Sequence, residues 1–364
     1  MSDTPVVIDK PGFRARFFYL STGHPFPGSC STLLLIPGEI MARSRKNLAH
    51  PLRWLRFIVW PVISLFAIIL LLLAIVLVPA IPDPTLLIPA RKGQLHEILQ
   101  TQQWQAQDSI YTELTLVSTS GLQVQLSTRI PTKFTSPRPL VLLLGGRRTG
   151  RDAVKLVRET HGVALAALSY PYAGDPTASR LGLLADLPDM QQAIKDTAPS
   201  IMLAMDYLST LPQIDPRRIE LAGVSLGAFF VSVPGALDTR FQRVWLIQGA
   251  GEVDKVLEKG TERYINNKLL RHLLGKLFGW ITLSHHLGPE QWVGRISPRP
   301  VMIINARNDP AFPASSVSAL HNAAKEPYEI IWIQSEHIMP SRTEVVDAIS
   351  NIVLQRIIKD ATKK

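Results

Sequence analysis

The sequence predicts an α/β fold with a mostly parallel central sheet, helices on both faces and a helical insertion, preceded by one membrane-spanning helix. Three observations carry this expectation. Short apolar runs alternate with helical patterns from residue 139 to the C-terminus, a two-stranded alternating pattern precedes them, and an uncharged apolar stretch lies near the N-terminus. Of the 364 residues, 46% are hydrophobic and 19% are charged, which excludes disorder and allows a full-sized core.

The uncharged stretch runs from Phe57 to Val78, FIVWPVISLFAIILLLLAIVLV. As a helix it reaches about 33 Å, enough to cross a hydrocarbon layer of roughly 30 Å. Core helices are rarely apolar all round for this length, and signal-peptide h-regions are shorter. PAIPDP, which follows, makes a poor cleavage site, so the segment reads as an uncleaved anchor. Arg43, Arg45, Lys46, Arg53 and Arg56 precede it, while Asp83, Arg91 and Lys92 follow, and Trp54 and Trp60 suit an interfacial belt. The positive flank predicts a cytoplasmic N-terminus and an extracytoplasmic remainder, periplasmic in a bacterium. The formal net charge of +10 would serve nucleic acid or an anionic membrane surface. Its concentration beside the apolar stretch favours the membrane, and no nucleic-acid partner is expected.

Residues 1–40 are rich in Pro, Gly and Ser without periodicity, so 1–56 reads as a cytoplasmic segment. Met41 begins ARSRK after it, which makes Met41 a second candidate for the start of translation, with 1–40 then untranslated. Residues 79–110 read as a proline-bearing linker with a polar helix around Gly93–Gln105. From 111 onward the elements alternate. Glu113–Ser118 and Leu122–Ile130 read as strands around a Ser120-Gly121 turn, and Pro139–Gly146 as a doubly buried strand. Arg151–Thr160 (helix), Val163–Ser169 (strand) and Ala185–Leu211 (helix, interrupted near Pro199) come next. Arg218–Val224 (strand), Leu226–Leu237 (helix) and Arg243–Gln248 (strand) follow them. Pro300–Ala306 (strand), Ala314–Ala324 (helix), Tyr328–Ile333 (strand) and Ser341–Ile358 (helix) complete the chain. Between 251 and 298 the alternation lapses. Leu269, Leu270, Leu273, Leu274 and Leu277 are interleaved there with Lys268, Arg271 and Lys276. This is an apolar stripe on a basic helix, readable as a core-facing helix or as a lid that meets lipid.

Gly223-Val224-Ser225-Leu226-Gly227 lies between the strand RIELA and a helix. This is G-x-S-x-G in the context that a nucleophile elbow requires, a sharp strand-to-helix turn that exposes the serine hydroxyl. The approach DPRRIELAGVSLGA resembles the esterase and prolyl-oligopeptidase-like branches of the α/β-hydrolase superfamily, and the resemblance covers about Tyr111 to the C-terminus. It implies the chain order serine, acid, histidine. Asp309, just past the strand 301–306, is then the acid, and a plain turn aspartate is the bland reading. His337, after the last strand, is the base. His321 falls within a helix, and His285 and His286 fall in the insertion. A serine hydroxyl needs a base to take its proton, and the acid fixes the base's tautomer. Glu336, adjacent to His337, should point away.

The resemblance further implies an oxyanion hole from the backbone N–H of Leu226 and, by position, of Arg147. Arg147 and Arg148 are also candidates to hold an anionic part of the substrate, against a solvated loop edge. GGRRTGRD (145–152) fails as a phosphate loop because Asp152 would repel phosphate and the Lys-Ser/Thr pair is missing. No H-E-x-x-H occurs, and the one cysteine, Cys30, lies outside the catalytic region. No cofactor or metal is expected. The expected activity is hydrolysis of a small-molecule carboxylic ester through an acyl-enzyme on Ser225. A serine peptidase or acyltransferase on the same triad, or a non-catalytic membrane-anchored binding module, are the alternatives.

Overall fold

The apolar runs form strands because a continuous Val/Ile/Leu segment is stable only when both its faces are covered. The computed structural model describes residues 51–77, 83–133, 136–146, 149–172 and 186–361, with side chains in the first range described for 57–71. The chain divides into two units, Met1–Val62 and Ile63–Lys364. Helix α1 (Pro51–Leu77) begins in the first and covers most of the apolar stretch; its described side chains, 57–71, are all exposed. Among the described residues no helix is long and apolar enough to cross a membrane.

Among the described residues of the second unit, nine strands form one sheet in the order β1-β2-β3-β5-β4-β6-β7-β8-β9. They are β1 (Leu95–Ala106), β2 (Ser109–Ser118), β3 (Gln123–Pro131), β4 (Arg138–Leu144), β5 (Ala164–Leu168), β6 (Ile214–Val224), β7 (Val244–Ile247), β8 (Val301–Ala306) and β9 (Tyr328–Ile333). The first three are antiparallel, β3 meets β5 antiparallel, and every pair from β5 to β9 is parallel. Strand β4 shows how one apolar run serves two cores. Leu140, Leu142 and Leu144 face one layer with Ile201 and Met205 of α3 (Leu187–Leu208). Val141 faces the other, with Ile349, Val353 and Leu354 of the closing helix (Thr343–Ala361). Strand β4 is flanked by β5 on one side and β6 on the other. The loops that leave its carboxyl end and that of β6 therefore diverge over a crevice, where open α/β sheets bind ligands.

Several expectations are corrected. The polar helix around Gly93–Gln105 is strand β1, so the stretch read as linker contributes an edge strand. Its conformation is set by antiparallel pairing with β2, from Leu95↔Ser118 to Ala106↔Ser109, and by the stacking of Trp104 on Tyr111 at 5.2 Å. Pairing outweighs the weak preference of a Gln-rich segment. The linker also holds helix α2 (Pro84–Lys92), which buries Ile88 and joins α3 through the Arg91 guanidinium on both Asp196 oxygens at 2.7 and 2.8 Å. Pro199 does not interrupt α3, which runs through it. The hydroxyls of Thr197 and Ser200 donate to the carbonyls of Ala193 and Asp196 nearby. The helix expected at Arg151–Thr160 is only a short turn and Ala153–Leu156, and that at Leu226–Leu237 is a 3-10 turn followed by Ser232–Leu237.

The insertion forms α4 (Val253–Thr261) and α5 (Lys268–Ile281), followed by two short turns of helix. The core-facing reading of the leucine stripe is overturned: Leu269, Leu270, Leu273 and Leu277 are exposed. Helix α5 packs on α4 through Gly275 and Gly279 instead. A Cβ at Gly275 would stand 2.7 Å from the Asp254 carbonyl oxygen and 2.8 Å from the Glu258 Cβ. Small residues four apart thus form the buried face; Leu274, beside Gly275, is half-buried, and the other four leucines lie outside.

Candidate active site

Strand β6 ends at Val224, and the chain turns at once into the 3-10 segment Ser225–Phe229. Ser225 sits at φ +54°, a left-handed conformation that costs a side-chain-bearing residue about 1–3 kcal/mol. The turn is possible only because its flanks lack side chains. A Cβ at Gly227 would lie 1.9 Å from the Leu144 carbonyl oxygen, and one at Gly223 would lie 2.5 Å from that of Gly227. The two glycines seat the elbow directly on the end of β4.

The turn brings Ser225 Oγ to 2.8 Å from His337 Nε2, and His337 Nδ1 to 2.7 Å from Asp309 Oδ2. Asp309 is 6% exposed in its side chain and has its other oxygen on the Ala311 N–H at 2.8 Å. The three sequence-predicted side chains thus form one hydrogen-bonded series at the carboxyl edge of the sheet. Such a series can move a proton from the hydroxyl to the imidazole while a buried carboxylate supports the resulting cation. Glu336 points away, paired with Arg342. His321 is engaged elsewhere: its Nε2 is 2.9 Å from Asn305 Oδ1, and burial pushes its pKa down.

Leu226 is the second residue of the 3-10 segment, so its N–H has no acceptor within the turn and is available at the site. Arg147 and Arg148 lie outside the described residues. Their neighbours show how the loop is held. Gly146 passes the elbow closely, since a Cβ there would be 4.0 Å from that of Ser225. The Gly145 carbonyl accepts the Tyr170 hydroxyl at 2.6 Å, and burial pushes the Tyr170 phenol far above its ordinary pKa, so it stays a donor. In the stretch read against a phosphate loop, Arg151 is paired with Glu113 at 2.9 Å and Asp152 with Lys155 at 2.6 Å.

Two positioning groups were not anticipated from the sequence. Gln248, fully buried just past β7 and itself at φ +48°, reaches the loop that carries the histidine. Its Oε1 accepts the Ile338 N–H at 2.5 Å and its Nε2 faces the Glu336 carbonyl at 3.4 Å, so it holds the chain on both sides of His337. Phe312 packs edge-on against the His337 ring, with centroids 5.2 Å apart. The only hint in the sequence is a polar residue ending the apolar strand VWLIQ.

Below Ser225 and His337 opens a cavity of about 340 Å³. Its walls are Val141, Leu143, Leu165 and Ala222 from the sheet and Ile349 and Val353 from the closing helix. No residue of 251–298 is among those lining it. Among the described residues no group of acidic, His and Cys side chains could hold a metal ion.

No protein-family model matches the chain, and no curated protein sequence does. Solved structures do. Acetyl xylan esterase 1 from Thermoanaerobacterium sp. JW/SL YS485 superposes with a TM-score of 0.53 at 15% identity, over 76% of this chain and 95% of its own. The acetyl xylan esterase from Paenibacillus sp. R4 does so with a TM-score of 0.53 at 16% identity, over 74% and 92%. The fold is that of the α/β hydrolases. At this identity the likeness extends to the architecture and leaves the chemistry to be argued from the site.

Proposed function

We propose that this chain is a serine hydrolase that cleaves a carboxylic ester through an acyl-enzyme on Ser225. The observation that carries the proposal is the series Ser225 Oγ to His337 Nε2 to Asp309, built on a strained elbow. Ser225 Oγ attacks the ester carbonyl as His337 Nε2 takes its proton. Asp309 keeps Nδ1 protonated and stabilises the imidazolium. The oxyanion of the tetrahedral intermediate lies against the Leu226 N–H and the N–H of Arg147. His337 returns the proton to the leaving alcohol, then activates water to release the acid. Arg147 and Arg148 hold an anionic portion of the substrate where one is present. The apolar lining that the described residues give the cavity beside Ser225 favours an alkyl acyl group over a polar peptide segment.

The same reading places the enzyme on a membrane as a single-pass protein, with Phe57–Val78 as anchor, the N-terminus cytoplasmic and the catalytic unit outside. Its support is the charge-free stretch and the one-sided Arg/Lys flank. The insertion 251–298 then acts as a cover that meets lipid through the exposed Leu269, Leu270, Leu273 and Leu277, interleaved with Lys268, Arg271 and Lys276. The test is turnover of p-nitrophenyl esters by the purified chain and by Ser225→Ala. Loss of several orders of magnitude with the fold retained is expected, and retained turnover would remove Ser225 from the mechanism.

A further inference from the structure

We propose that the cavity beneath Ser225 is an acyl-chain site for an unbranched chain of about eight to ten carbons, set between the sheet and the closing helix rather than under the insertion. The proposal rests on the serine hydrolase reading and adds the substrate class to it.

The mouth of the cavity is formed by Ser225, His337, Gly145 and Gly146. From there it descends along the sheet face that carries Val141, Leu165, Ala222 and Ile247, all members of the core beneath the closing helix. That helix starts at Thr343, six residues after His337, so it runs from the mouth downward. It contributes Val346, Ile349, Val353 and Leu354, spaced as one helical face. An acyl group on Ser225 Oγ therefore has its carbonyl at the mouth and its tail directed between sheet and helix.

The chemistry of the wall agrees. Among the described residues, Thr149, Ser225, His337 and Ser350 are the polar side chains lining the cavity, and none of the described lining side chains is an Asp, Glu, Lys or Arg. Natural cores contain few voids larger than a water molecule. This void, at about 340 Å³, is more than twice the roughly 150 Å³ apolar cavity that stays dry and takes up benzene. An apolar space of this size, open to a nucleophile, fits an alkyl chain.

The length follows from backbone geometry. Along β4 the lining extends from Gly145 to Val141, four residues or roughly 13 Å. Along the helix it extends from Val346 to Leu354, eight residues or roughly 12 Å. An extended alkyl chain with C–C bonds of ~1.5 Å advances ~1.3 Å per carbon, so about eight to ten carbons reach the floor.

The full chain in lipid nanodiscs, assayed on p-nitrophenyl esters from acetate to palmitate, tests this. The expected kcat/KM climbs about fourfold per methylene up to eight to ten carbons and then stops climbing. Val353→Phe, which fills the floor, should move that break to four to six carbons, with a melting temperature within a few degrees of wild type. Leu156→Phe plugs the opposite wall if Val353→Phe does not fold. Binding of decanoate to Ser225→Ala gives a readout that needs no turnover. It should be measurable by calorimetry and weakened tenfold or more by adding Val353→Phe. Acetate turnover with a flat or falling chain-length profile, and no decanoate binding, would overturn the acyl-chain site and leave the serine hydrolase reading standing. No turnover of any ester would refute the hydrolase reading, and decanoate binding would still decide the cavity.

Discussion

Replacing Gln248 by Met removes one pair of contacts and little else. The two side chains have similar length and flexibility, so neither a cavity nor overpacking enters, and both accept the backbone at φ +48° equally well. What is lost is the acceptor of the Ile338 N–H at 2.5 Å and the weaker contact to Glu336 at 3.4 Å. A buried donor left without a partner costs about 1–3 kcal/mol. The loop can avoid that cost only by turning the N–H outward, which carries His337 off its line with Ser225. If the full amount is drawn from the productive geometry, turnover falls by roughly 5- to 150-fold. Ile338 also lines the cavity, so the comparison is made on a short ester, whose binding changes little. The assay is kcat and KM on a short ester beside a melting curve, with the rate of fluorophosphonate labelling of Ser225 as a second measure of base position. A fall in kcat and labelling together, at nearly constant KM and with Tm lowered by only a few degrees, is expected. A lowered Tm with kcat and labelling unchanged would show that Gln248 serves only stability, and the positioning argument would fail.

Four further outcomes follow from the geometry. Asp309→Asn should lower kcat by about 10³- to 10⁴-fold with the fold retained, because the amide cannot hold the Nδ1 proton of His337; a near-wild-type kcat would remove Asp309 from the mechanism. Tyr170→Phe deletes the donor to the Gly145 carbonyl and should cost about 0.5–1.5 kcal/mol, read as a kcat decrease of up to roughly tenfold, with unchanged kcat as the contrary result. Leu269→Ser with Leu273→Ser should weaken binding of the catalytic unit to anionic vesicles while leaving Tm and short-ester turnover unchanged, since both side chains are exposed; a large drop in Tm would show that they are packed after all. A phosphatase fused after Lys364 should be active in an exporting host, and an inactive but well-expressed fusion would reverse the proposed topology.

What was legible in the sequence divides along physical lines. The elbow could be read because its requirements are local: a strand, a glycine on each side and a turn into helix within five residues. Asp309 and His337 could be read because each stands just past the end of an apolar strand, and the parallel sheet collects those ends along one edge. Strand β1 could not be read, since a polar segment such as QTQQWQA takes its conformation from β2. The stripe on α5 was visible as amphipathic, but periodicity does not say which face is covered, and Gly275 and Gly279 supplied the packed one. The Gln248 contacts cross 88 and 90 residues of chain. The cavity requires four strands and a helix to be assembled before its walls face one another. Both depend on tertiary placement that no short window contains.

Ser225 as the nucleophile of an acyl-enzyme should take a covalent label. Peptide mapping by mass spectrometry, after reaction of the full chain with a fluorophosphonate, reads its position. One adduct on the peptide carrying Ser225, formed slowly in His337→Ala and absent from Ser225→Ala, is the result expected. An adduct on another residue, or none while ester turnover persists, would contradict it.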